Sequence, residues 1–305
     1  MTTSTPLLLG YLGPQGSHSS VAAQALVTHQ ASLAGVRLVA VRTLERLIEA
    51  VASGRLQHAV VPIENRLQGA VVSVMEFLGD MSGQSVAVQA EFWHPIAHAL
   101  IQRGDTPNAL PPITTVISHP QALNQCQKTL RAMLGDTLRR EWASSTAEAV
   151  QQLATRPEGT AALGAAQLVH PGSGLCVVAD NVSDRPDNAT RFLWVSHAKN
   201  THGRGDFNGV ASENAPERGH FKTMLSVELE DAPGCLARFL TVFDQLGLNL
   251  TRIESRPSPL VSGRYRFFLD VEAAIASNTP PWGPLQTALD TMSVVHQWST
   301  PFLVL

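Results

Sequence analysis

Four polar clusters in this sequence stand where strand-like and helix-like runs meet. They are Gly13-Pro14-Gln15-Gly16-Ser17, Glu64-Asn65, Ser118-His119-Pro120-Gln121, and Asn188-Ala189-Thr190-Arg191-Phe192 on the approach to a late strand. Helix starts expose unsatisfied N–H groups and a partial positive charge, so several that converge make an anion pocket without a metal. Ser and Asn also cap helices whatever the function, so no single junction decides. Glu64 is different, because a carboxylate after the buried run HAVVPI is costly unless paired or used. In Thr190-Arg191-Phe192 strand alternation puts Thr190 and Phe192 on one face and Arg191 on the other. Arg191 then reads as a buried ion-pair partner, of Glu64 for instance, or as a clamp on a substrate carboxylate. Thr190 offers a hydroxyl that donates or accepts, and the same residue type is often satisfied by backbone. Gln121 and Gln125 lie one turn apart, so both face one side of their helix.

Other chemistries lack their residues. His94 and His98 have the spacing of a zinc pair, but Pro95 breaks a helix between them and no third ligand follows at suitable spacing. There is no Gly-x-Ser-x-Gly elbow, no GxGxxG after a strand and no GxxxxGK[ST] loop. The chemistry expected here needs no metal and no cofactor.

The elements that must position these residues follow from the pattern of apolar runs. Residues 7–198 alternate short β-like runs (LLLGYL, VRLVAV, HAVVPI, TTVISH, GLCVVAD, RFLWV) with helical ones, among them SSVAAQALVTH, LERLIEAVASG and GAVVSVMEFL. VAVQAEFWHPIAHALI is extended because Pro95 interrupts it, STAEAVQQLA opens on a Ser145/Glu148 capping box, and AALGAAQLV is predicted helical. The alternation predicts a mostly parallel sheet covered by helices, with ligands bound at the carboxyl ends of strands. Residues 199–220 are polar and Gly/Asn-rich and are predicted to be a linker or long loop. Residues 221–305 then read βαββαβ: KTMLSVEL, a DAPG turn, CLARFLTVFDQLG closed by Gly247, a hairpin of NLTRIESRPS and RYRFFLDVEA, PLQTALDTM, and SVVHQWSTPFLVL as one final strand.

At 305 residues, 44% hydrophobic and 15% charged, the chain has material for two domains with substantial cores. A formal charge of −3 without any basic run argues against nucleic-acid or anionic-membrane partners. No stretch approaches the roughly 18 apolar residues of a membrane span, and MTTSTPLLLGYLG lacks the basic start of a secretory signal. Cys126, Cys176 and Cys235 are odd in number and far apart, which fits reduced thiols and a cytoplasmic location.

Taken together, GYLGPQGSHSSVAA, VVPIENRLQGAVV, ISHPQALNQC and DNVSDRPDNATRFLWV resemble prephenate dehydratases in order and spacing. The C-terminal part resembles an ACT domain, with DAPGCLARFL followed by NLTRIESRP. The resemblance runs from about residue 7 to 304, and the family's chorismate mutase extension is not seen, as in its monofunctional members. It implies an α/β fold: a bilobed, periplasmic-binding-protein-like catalytic domain over 7–198 and a regulatory ACT domain over 221–305. It also implies conversion of prephenate to phenylpyruvate with loss of carbon dioxide and water, in phenylalanine biosynthesis, with feedback by L-phenylalanine on a homodimer or homotetramer. By motif match, Thr190 is the donor to the leaving hydroxyl, and Glu64, Asn65, Ser118 and Gln125 fall at positions implicated in binding or catalysis. Ser17, Gln121, Arg191 and Phe192 are the expected substrate contacts. Phenylalanine would meet Gly234, Cys235 and Leu236 together with Asn249, Leu250, Glu254, Ser255 and Arg256, where ACT domains of two chains meet.

Four residues depart from the family's usual pattern: Ser17 for Thr, His18 for Phe, Arg66 for Ser and Gln68 for Glu. Ser17 keeps a hydroxyl, His18 is expected to face solvent, and Arg66 is left between cleft mouth and solvent. Arogenate dehydratase and a non-aromatising prephenate decarboxylase are the near alternatives. A non-catalytic amino-acid sensor is the remote one, and it lacks a segment for a DNA-reading helix-turn-helix.

Overall fold

The computed structural model describes residues 6–81, 85–104, 106, 110–199, 220–258, 263–276 and 279–305. The predicted linker falls almost wholly on 200–219, outside the described residues. The chain begins with β1 (Leu8–Leu12), α1 (His18–His29), β2 (Arg37–Val41), α2 (Leu44–Ala52), β3 (His58–Asn65), the short β4 (Gly69–Ala70), α3 (Val72–Met81) and β5 (Val86–Pro95). It then crosses to a second sheet, built from β6 (Ala99–Arg103), β7 (Thr115–Ser118), β8 (Arg139–Trp142), β9 (Thr160–Gly164) and β10 (Leu175–Ala179). Helices α4 (Pro120–Gln125), α5 (Gln127–Leu134) and α6 (Thr146–Gln152) belong to this lobe. The chain returns through β11 (Ala189–His197), which lies between β3 and β5 of the first sheet.

That return corrects the expectation of mostly parallel sheets. β1 runs parallel to β2 and β3, and β7 parallel to β8 and β9. β11, arriving from the other lobe, is antiparallel to both neighbours, and β6 is antiparallel to β9 and β10. AALGAAQLV is not a helix: its first half is β9, buried along its whole length, and Ala166–Leu168 form a short 3-10 turn. Alanine favours helices in isolation. Here it is used because α6 lies so close that a Cβ on Gly164 would stand 2.5 Å from Val150 Cγ2.

β3 is buried on both sides, as its continuous apolar run requires. Ala59, Val61 and Ile63 pack with α2 and α3 (Leu47, Val51, Met75), while Val60 packs with α1 (Ala22, Ala23, Leu26).

The C-terminal domain has β12 (Phe221–Leu229), a helix Cys235–Gln245, β13 (Leu250–Pro257), β14 (Tyr265–Val271), a helix Trp282–Met292 and β15 (Ser293–Trp298). The antiparallel order β13-β14-β12-β15 packs both helices on one face through Phe239, Phe243, Leu285 and Leu289. The last segment is two strands, not one. After Ser299-Thr300-Pro301, β16 (Phe302–Val304) pairs with both β12 and β5, joining the two domains edge to edge.

The other face of this small sheet rests on α3. A Cβ on Gly79 would lie 2.6 Å from Phe268 Cε1 and 3.2 Å from Ser226 Oγ. Gly79→Val is therefore expected to lower stability by about 1–3 kcal/mol through overpacking, read from the midpoint of denaturant unfolding. An unchanged midpoint would mean that α3 and the sheet do not stay in contact.

Candidate active site

A cavity of about 430 Å³ lies between the two lobes. The ends of β3 and β11 supply Pro62, Asn65, Asn188, Thr190 and Phe192; the start of α1 supplies Ser17 and His18. The facing lobe supplies His119, Gln121 and Gln125 around α4, and Ser144, Ser145 and Thr146 at the start of α6. Such a volume suits a small organic acid. A larger hollow of about 980 Å³ runs along α1 past Arg103 and His170 and holds none of the expected catalytic residues.

Thr190 is 9% exposed, and its Oγ1 accepts a hydrogen bond from Asn65 Nδ2 at 2.9 Å. The same Nδ2 donates to Asn188 Oδ1 at 3.0 Å, and Asn65 Oδ1 accepts from the Leu67 and Gln68 amides. Asn65 is thus fixed by its own turn. A hydroxyl that accepts from Asn65 keeps its hydrogen for another partner, here toward the cavity. Ser17 caps α1, accepting from the Ser20 amide at 3.2 Å, and donates to Leu12 O at 2.9 Å. Gln121 Nε2 donates to Gln68 Oε1 at 2.6 Å, a bridge between the lobes.

Three expected residues lie elsewhere. Opposite partners on antiparallel strands share a face, and the register is Thr190 with Asn65, Arg191 with Glu64, then Phe192 with Pro62. The skipped Ile63 is a β-bulge, so Pro62 and Asn65 face the cleft and Glu64 is turned away with Arg191. Arg191 is 2% exposed and does not line the cleft. It binds Glu91 (Nε–Oε2 2.6 Å), Asp270 of the C-terminal domain (Nη1–Oδ2 2.5 Å) and Glu64 (3.4 Å). Burial opposes its charge, but Asp270 and Glu91 outweigh that and raise its pKa further. Ser118 is fully buried and donates to Leu163 O at 2.9 Å, tying β7 to β9.

His18 corrects a further expectation: it lines the cavity instead of facing solvent, with its ring edge-on to His98, centroids 5.0 Å apart. Burial, then His98 and His94, lower its pKa to about 3. Arg66 sits on the rim, over the Trp93 ring at 4.9 Å and donating to Asp187 O. Cys126, inside the SHPQALNQC motif, is no nucleophile, because burial foremost and then Asp184 push its thiol up to about 12. Among the described residues no group of three or more His, Cys, Asp or Glu is placed to hold a metal.

Residues 9–200 match the family model described as prephenate dehydratase, and residues 223–276 match that of the ACT domain. The chain belongs to the prephenate dehydratase family. Prephenate dehydratase of Bacillus subtilis is 30% identical over 269 residues, spanning 87% of this chain and 88% of that protein. The solved prephenate dehydratase of Arthrobacter aurescens in complex with L-Phe superposes with a TM-score of 0.76 at 27% identity, covering 97% of this chain and 90% of that one. GqqA, described as a quorum quenching acylase, has a TM-score of 0.74 over 98% of both chains. At 22% identity GqqA shows the shared fold alone.

In this prephenate dehydratase family member the sequence signals missed part of the site. Sequence spacing offers His98 only as half of an unsuitable zinc pair, yet its Nε2 lies 3.0 Å from Gln125 Oε1 inside the cleft. In the sequence Ser145 and Glu148 signal a capping box and nothing more. The box is present, with Ser145 accepting from the Glu148 amide at 3.1 Å, but its position as a cleft wall was the missed signal. In the ACT domain, Gly234 (φ 76°) opens the Cys235–Gln245 helix, and Cys235 and Leu236 border a hollow of about 120 Å³. Glu254 and Arg256 form an ion pair at 3.1 Å along β13, and Asn249 donates to Glu272 at 2.8 Å. Leu250 pairs with Val271, at the opposite end of the sheet from the Gly234 turn.

Proposed function

We propose that this chain converts prephenate to phenylpyruvate, and that Thr190 is the hydrogen-bond donor to the departing C4 hydroxyl. The observation that carries this is the Asn65–Thr190 bond in an interlobe cavity, since it holds the hydroxyl with its hydrogen free to donate. The bond from ring to carboxylate carbon breaks, carbon dioxide leaves, and the electron pair stays with the ring. The C4–O bond breaks with its pair on oxygen, which takes one proton to leave as water. Aromatisation drives the reaction, so the protein's task is orientation and charge placement. Ser17, whose own hydrogens go to Leu12 O and Pro14 O, caps α1. The first amides of α1 and α6 offer donors for the carboxylates, while Gln121 and Gln125 hold the ring's polar edge and Phe192 packs against its face. Asn65 acts through Thr190. Glu64, Arg191 and Ser118 act on the fold around the cleft and not on the substrate.

The ACT domain is proposed to bind L-phenylalanine, a reading supported by the Arthrobacter aurescens relative having been solved in complex with L-Phe. Within one chain, Asn249-Leu250 and the Gly234–Leu236 turn stand at opposite ends of the sheet. A second chain is needed to bring both sets to one ligand. β13 suits this role, being a sheet edge with Ile253 48% exposed. Purified protein given prephenate is expected to form phenylpyruvate, followed by its absorbance in base, and less of it when phenylalanine is added. No aromatic product from prephenate would sink the substrate assignment, and product from arogenate alone would replace it.

A further inference from the structure

Among the described residues no Lys, Arg, Asp or Glu lines the cleft, and its titratable side chains are His18, His98 and His119. On the reading above, the substrate enters as a dianion and the organic product leaves as a monoanion, so each turnover consumes one proton. Helix starts supply only partial charge. Neutralising the dianion and holding the reaction's proton both fall to imidazoles.

Hydrogen bonding fixes how the imidazoles are protonated. Gln125 Oε1 accepts from Asn188 Nδ2 at 3.5 Å, and so faces His98 Nε2, 3.0 Å away, as an acceptor. His98 Nε2 therefore carries hydrogen and its Nδ1 is bare. That Nδ1 lies 3.4 Å from His18 Nε2, which must donate, leaving His18 Nδ1 as a lone pair without a partner among the described residues. In this form the pair ends in an acceptor, which repels a carboxylate. One proton on His18 Nδ1 makes that end a donor and leaves every other hydrogen bond of the chain as it was.

We propose that His18 and His98 form the anion-binding pair of this active site, and that the pair takes up one proton from solvent together with the dianionic substrate. The inference rests on the prephenate reading. In the empty cleft both imidazoles are neutral near pH 7: burial first, then His98 and His94, hold His18 near 3, and burial lowers His98 despite the opposing bond to Gln125. The other titratable groups around the pair are His94 on β5, itself lowered by burial, and His119 at the start of α4. Asp184 is bound to the Lys128 and Thr129 amides and Glu148 to Ser144, so neither carboxylate serves the pair. Because the pair's pKa is higher in the complex than in the empty cleft, binding is tightest at low pH and weakens as pH rises. The proton taken up equals the one the elimination consumes, so the complex holds it before any bond breaks.

The test is kcat/KM for prephenate from about pH 6.5 to 8.5 in wild type, His18→Phe and His119→Asn. Wild type is expected to fall by roughly tenfold per pH unit, the slope of one proton. His18→Phe is expected to be flat and at least about tenfold lower at the acid end. His119→Asn keeps the slope whatever its rate. Calorimetry of prephenate binding to Thr190→Ala in Tris and in phosphate is expected to show heats that differ by about one buffer proton. A flat wild-type profile, a slope that survives in His18→Phe, or equal heats in the two buffers overturns the proposal alone. Absence of prephenate turnover by wild type overturns the substrate reading and the proposal with it.

Discussion

Thr190→Val is expected to lower kcat by about a hundredfold or more, with KM for prephenate and the thermal midpoint close to wild type. The substitution keeps the volume and removes one oxygen. Asn65 Nδ2, which loses Thr190 Oγ1, still donates to Asn188 Oδ1 at 3.0 Å and Ala189 O at 3.2 Å, so no buried donor is orphaned. The cost therefore falls on the transition state, where the departing hydroxyl loses its donor, and not on folding or ground-state binding. Thr190→Ser should recover most of the rate, because it restores the hydroxyl opposite Asn65. Steady-state kinetics with prephenate decides the matter. Activity of Thr190→Val within about threefold of wild type, roughly 0.7 kcal/mol, would remove Thr190 from the reaction.

How much of this site could be read beforehand depended on the range of the forces that build it. Thr190 and Phe192 were placed together because alternation within one strand is local. The Gln121/Gln125 pair followed from helical spacing in the same way, and both line the cleft. Glu64 pairs with Arg191 as alternation suggests, but its turn away from the cleft depends on a bulge at Ile63, which exists only where β3 meets β11 more than a hundred residues later in the chain. Ala-rich β9 looks helical locally, and burial between β6 and β7 overrides alanine's helical preference. His18 carried the weakest signal: a polar residue in place of an aromatic one suggests exposure until His98 arrives from 80 positions away. The βαββαβ order was readable from periodicity, but the departure of β16 to pair with β5 was not, since a three-residue strand has no period of its own.

The same alternation that aims Thr190 into the cleft aims Arg191 at the ACT domain, and this makes Asp270→Asn the substitution with the largest expected effect on the protein as a whole. Asp270 is fully buried and receives Arg191 Nη1 at 2.5 Å and Arg252 Nε and Nη2 at 3.0 Å each. Glu91 holds Arg191 from the other side and also accepts from Lys222 Nζ at 2.7 Å, so cations and carboxylates of both domains balance within one cluster. Replacing the carboxylate by an amide leaves two buried guanidinium groups without their shared anion, a loss expected to cost about 3–5 kcal/mol. For a chain of this size that corresponds to a fall in midpoint on the order of 10 °C. The acid limb of stability should change in step. Burial works against the Asp270 carboxylate, but Arg252 and Arg191 hold its pKa below the usual range. Its contribution is therefore complete above about pH 3.9, the unfolded value, and is lost as pH falls through the folded value. The variant should lack that step. KM for prephenate should change little, as Arg191 does not line the cleft. Arg252 is two residues from Glu254 on β13, and Arg191 adjoins Thr190 on β11, so the cluster spans the two proposed ligand sites through rigid strands. Phenylalanine is expected to bind Asp270→Asn, whose effector residues are intact, yet no longer to lower its turnover. Full inhibition by phenylalanine in a variant with an unshifted midpoint would show that the cluster neither holds the domains together nor carries a signal between them.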